Sequence, residues 1–74
     1  MSFGGYGLPM DLPRPEAAIR DARSATPEIR WIAAMSLGRT DGVMQKPAVE
    51  ALAALSADEN EDVRAQSIEG LANQ

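Results

Sequence analysis

Asp58, Asn60, Asp62 and Glu69 fall at positions 1, 3, 5 and 12 of an EF-hand calcium loop. Oxygen ligands at that spacing can surround a hard cation. Position 6, where such a loop needs glycine for its sharp turn, is Val63. Val63 and Arg64 also continue a helical pattern, so the acidic run reads as a solvated turn that caps a helix, and no metal site is expected. Catalysis has less to work with. The chain has no cysteine and no histidine, which removes the thiol nucleophile, the disulfide, the commonest general base and the commonest metal ligand. Its carboxylates stand beside no glycine-rich phosphate loop and no serine elbow. The expectation is a protein that is not an enzyme, with no catalytic residues and no cofactor.

Binding chemistry has better candidates. Trp31 and Met35 are four residues apart and share one face of any helix that carries them, and Ile32 extends the same patch. Tryptophan and methionine are enriched at protein interfaces, and a tryptophan is a frequent anchor of binding energy. The competing use of Trp31 is burial inside a domain too small to spare it. Phe3 and Tyr6 form a second apolar set, on an irregular Gly- and Pro-rich arm over residues 1–13. Such an arm can cap the end of a helical stack or carry a short motif that orders on a partner.

Four helices have to position these residues. Pro15 is well placed at a first helical position, and Ala18, Ile19 and Ala22 follow at helical spacing. Thr26-Pro27-Glu28 gives a capping residue, a first-turn proline and a charge suited to the helix dipole, with Gly38 as the breaker. Asp41 is a candidate cap for a third helix running to about Ser56, whose regular part Pro47 should delay until about Lys46. Asn60 is a candidate cap for the last helix, which should fray at Gln74. No strand is expected.

The four helices contain a repeat. At an offset of 34, PEIRWIAAMSLG (27–38) aligns Ile29 with Val63, Arg30 with Arg64, Ala33 with Ser67, Ala34 with Ile68 and Leu37 with Leu71 of EDVRAQSIEGLA (61–72). Ile19 and Ala22 correspond to Leu52 and Leu55 at an offset of 33. A fixed period in a short chain marks stacked helical hairpins. The shared pattern, an acid or proline followed by V-R-x-x-A-A-x-A-L-G, resembles the HEAT-like repeats of phycobilisome lyases and bacterial scaffold proteins. That resemblance covers about residues 15–73. It implies an all-α, short right-handed α-solenoid of about four helices over residues 14–74. It also implies that Arg30 and Arg64 hydrogen-bond across the loops to hold neighbouring repeats. Ser67 and Gly70 depart from the pattern, which makes the last helix the least stable. Ile29, Ala33, Ala34, Leu37, Val49, Leu52, Leu55, Val63, Ile68 and Leu71 are the expected core.

Composition narrows the function further. With 74 residues, only three aromatics and much of its apolar content in alanine, the chain has a thin core, and chains of that kind often lean on a partner. Residues 1–39 carry about one net positive charge, while residues 40–74 carry Lys46 and Arg64 against seven acids. The net charge of −4 repels a phosphate backbone, so nucleic acid is not expected as a partner. No stretch is apolar enough for a bilayer or a secretory leader, which makes the cytoplasm the expected location and a membrane no partner. The expected function is that of an adaptor or scaffold module, binding a protein through Trp31, Met35 and Ile32 and through Phe3 and Tyr6 of the arm. Self-assembly into a homo-oligomer is the alternative. A further one, implied by the resemblance alone, is an accessory role in a bilin lyase or chaperone complex.

Overall fold

The computed structural model describes residues 12–74. Among these residues there are four α-helices and no strand: α1 (Pro15–Asp21), α2 (Pro27–Leu37), α3 (Gln45–Leu55) and α4 (Glu61–Ala72), with a 3-10 turn over Gly42–Met44 ahead of α3. Helices α1 and α2 form one antiparallel hairpin and α3 and α4 a second. The hairpins lie side by side, with α2 packed on α4 and α1 beside α3. The all-helical expectation holds.

The helix starts differ in how they are secured. Asn60 Oδ1 accepts from the backbone N–H groups of Asp62 (2.9 Å) and Val63 (3.1 Å), satisfying two of the donors that a helix start leaves open. Thr26 and Asp41 stand in extended geometry at their starts, but neither side chain makes a capping bond. At α2 the opening rests on Pro27 and on the Thr26 carbonyl, which accepts from Ile29 and Arg30 N–H. Pro47 sits in the first turn of α3, where its missing N–H costs nothing.

Helix α2 ends at Gly38, as expected. The φ of Gly38 is −68°, an ordinary right-handed value, so it does not end α2 by a left-handed twist. Glycine is needed there because a Cβ on Gly38 would lie 2.7 Å from the Cα of Gly70. The two glycines let α2 and α4 cross backbone to backbone, which explains Gly70 as well. Gln74 joins the same corner. Its Nε2 donates to the Leu37 and Gly38 carbonyls, both at 3.2 Å, and covers the end of α2.

Leu37, Leu52 and Val63 are fully buried among Ala18, Ala33, Ala34 and Ala48, with Leu55 at the margin. The alanines bring the helices close, as close-packed interiors require. Ser67 is buried too, and its hydroxyl is satisfied by the Val63 carbonyl one turn back (2.7 Å). Two expected core residues are not core: Ile29 is 39% exposed and Ile68 57%. Periodicity marks both as apolar positions, but it does not decide how far another element covers them. Val49 and Leu71 are half-buried.

Candidate functional site

Arg30 leaves the first turns of α2 and meets the loop before α4. Its Nε donates to Asp58 Oδ2 (2.8 Å) and its Nη2 to Asp58 Oδ1 (3.0 Å), while Nη1 donates to the Ser24 carbonyl (2.8 Å). The fork is shielded, with the two side chains 10% and 11% exposed. A planar guanidinium gripping a carboxylate through two parallel bonds fixes orientation as well as distance. Asp58 is also bound from its own side, since Oδ1 accepts from the Asn60 N–H at 2.9 Å. Burial acts to raise the Asp58 carboxyl. The Arg30 bonds, the Asn60 N–H and the charges of Arg30 and Arg64 outweigh it and hold the group below its ordinary value.

Arg64 repeats half of this arrangement. Its Nη1 donates to the Asp58 carbonyl (2.8 Å), six residues back, just as Arg30 reaches Ser24, and also to the Glu59 carbonyl (3.1 Å). Arg30 thus spans the two hairpins, whereas Arg64 braces its own loop.

The acidic run has a structural occupation. Asp58 is engaged by Arg30, Asn60 caps α4, and Val63 lies fully buried in the core. Helix α4 already begins at Glu61, inside the stretch a calcium loop would need. Among the described residues no three acidic side chains converge as metal ligands.

The expected docking residues are distributed unevenly. Trp31 is half-buried and packs against the core cluster, and Ile32 is half-buried. Met35 is buried, only 6% exposed, so it lies under the α2 surface and presents little of itself to a partner. Phe3 and Tyr6 lie outside the described residues. The described end of the arm, Leu12 and Pro13, is half-buried, and the Pro13 carbonyl accepts from the Ser36 hydroxyl (2.6 Å), which ties this stretch to α2.

One feature escaped the sequence reading. An open groove of about 290 Å³ lies between α1 and α3, lined by Ile19, Ala22, Ala51 and Ala54 together with Arg23 and Glu50. Its signal was the alanines, which fill no space where two helices sit side by side.

These observations define an all-helical protein of two paired hairpins. No family model matches the sequence, no curated protein matches it, and no solved structure matches it. No helix among the described residues is long and apolar enough to cross a membrane.

Proposed function

We propose that this chain is a protein–protein interaction module of the adaptor or scaffold kind. Its two hairpins form a short right-handed α-solenoid of HEAT-like type, and a partner docks on the α2 surface at Trp31 and Ile32. The observation that carries this reading is the setting of Trp31, which packs on the core without being fully buried. An aromatic ring already fixed by packing loses little freedom on binding and offers a large apolar area. Met35, beneath the same surface, serves as packing support for it. The acidic second hairpin adds a field that favours partners with basic rims.

The test compares capture of partner proteins by the wild type and by Ile32→Glu, with circular dichroism confirming that the variant is folded. The reading expects captured species to be lost with Ile32→Glu while the helical spectrum stays. Identical capture by both folded proteins rejects the α2 surface as the docking site. A purified wild type that captures nothing rejects the module.

A further inference from the structure

The interface between the two hairpins shows how this chain seats a helical hairpin, and the same elements recur on its outer flank. On α2 the outgoing stripe is Arg30, Ala34 and Gly38. Arg30 grips Asp58, Ala34 is fully buried, and Gly38 lies against Gly70. At the offset of 34, α4 presents Arg64, Ile68 and Ala72 in that order. Here Ile68 and Ala72 are exposed and Arg64 is half-buried. Ile68 is 57% exposed where Ala34 is sealed. Arg64 uses only Nη1, on its own loop, and among the described residues its Nε and Nη2 have no hydrogen-bond acceptor. In Arg30 those two nitrogens hold the carboxylate of the neighbouring hairpin. A single exposed isoleucine is ordinary. Its register with a half-used arginine fork, one turn away on the same face, is informative.

We propose that this flank of α4 docks a helical hairpin of another protein whose turn carries a carboxylate where Asp58 stands in this chain. The guanidinium fork selects the carboxylate and Ile68 supplies the apolar contact. The same geometry disfavours a second copy of this chain stacked head to tail. Ser24 occupies the place equivalent to Asp58 in the first hairpin, so an incoming copy would bring a hydroxyl in place of a carboxylate to Arg64. The proposal rests on the reading of the chain as a binding module, but it concerns a different face from Trp31 and Ile32.

The probe is the chain's own acid-bearing hairpin. Residues 41–74 are duplicated directly after Gln74 of the full chain, which returns an Asp58 equivalent to Arg64 at the spacing that Asp58 has from Arg30. Thermal unfolding and hydrogen exchange are compared for the two-hairpin and three-hairpin chains, each with and without Ile68→Glu. The added hairpin is expected to be protected and to raise the Tm. Ile68→Glu is expected to leave the two-hairpin chain within about 2 °C and to lower the three-hairpin chain by roughly 5–10 °C, the scale of one to two kcal/mol in a small domain. Replacing the Asp58 equivalent of the added copy with Ala is expected to lower only the three-hairpin chain. An unprotected added hairpin, or equal effects of Ile68→Glu on both chains, overturns the proposal. Sedimentation equilibrium of the two-hairpin chain adds a check. A monomer is expected, and self-association abolished by Ile68→Glu overturns the requirement for a carboxylate. None of these readouts depends on the α2 surface, so their failure is separable from failure of the proposed function.

Discussion

Gly38 and Gly70 meet across the two hairpins so closely that a methyl group on Gly38 would stand 2.7 Å from the Gly70 Cα. Neither residue needs glycine for its own backbone conformation. The contact between them sets how near α2 and α4 approach, and that spacing seals Ala34 and Leu37 and brings Arg30 within reach of Asp58.

The first prediction follows from this contact. Alanine gains about 1 kcal/mol over glycine inside a helix by propensity alone. At Gly38 the added carbon meets backbone that cannot rotate away, and overpacking of that kind costs roughly 1–3 kcal/mol. At Gly70 the nearest atoms, the Gly38 Cα and a Leu52 Cδ, stand at 3.1 Å, a milder crowding that the helix-propensity gain of alanine offsets. Urea unfolding should therefore show Gly38→Ala destabilised and Gly70→Ala close to wild type. Equal stabilisation of both by alanine contradicts the close crossing.

The Arg30–Asp58 fork predicts an acid-limb dependence. The folded-state carboxyl of Asp58 is lowered, so its contribution is complete above the unfolded value, near 3.8. It is lost as pH falls through the lower folded value. Asp58→Asn should cost about 3 kcal/mol at neutral pH, because it strands a shielded guanidinium. The gap between variant and wild type should close progressively in acid below about pH 4. A gap that is independent of pH contradicts the ionised fork.

Helix starts give a contrast between two residues of similar type. Asn60→Ala removes two capping bonds and should cost about 1 kcal/mol. Thr26→Ala removes none, since its hydroxyl makes no cap, and should shift stability by less than about 0.5 kcal/mol. Paired denaturation curves decide, and equal losses contradict the difference between the two starts.

Leu52 is fully enclosed among α2, α3 and α4, and it touches the Gly70 crossing. Leu52→Ala should cost about 2–5 kcal/mol through lost burial and the cavity left behind. Ile68→Ala, at a position more than half exposed, should cost less than about 1 kcal/mol. Denaturant midpoints compare the two, and a larger loss at Ile68 contradicts the assignment of core and flank.

The helices and much of the core were legible in the sequence, and the proposed docking surface less so. The spacing of Leu37, Leu52, Leu55 and Val63 marked the core because a helix buried on one side repeats its apolar positions. The same rule placed Ile29 and Ile68 inside, since periodicity names a face but not whether anything covers it. Trp31 and Met35 looked alike in sequence, four residues apart, yet they differ in burial because tertiary packing, not helical register, decides their exposure. Gly38 marks the end of α2 in the sequence, but its second use, the close approach to Gly70, depends on a contact that no local pattern encodes.

Everything above depends on α2 and α4 lying in contact, and the most direct measurement is a nuclear Overhauser experiment on the α-protons of Gly38 and Gly70. A strong cross-peak between them, with further peaks from Leu52 methyls to Gly70, is the result this arrangement requires. Well-resolved glycine signals without that cross-peak would contradict the paired hairpins and remove both of the proposed docking faces built on them.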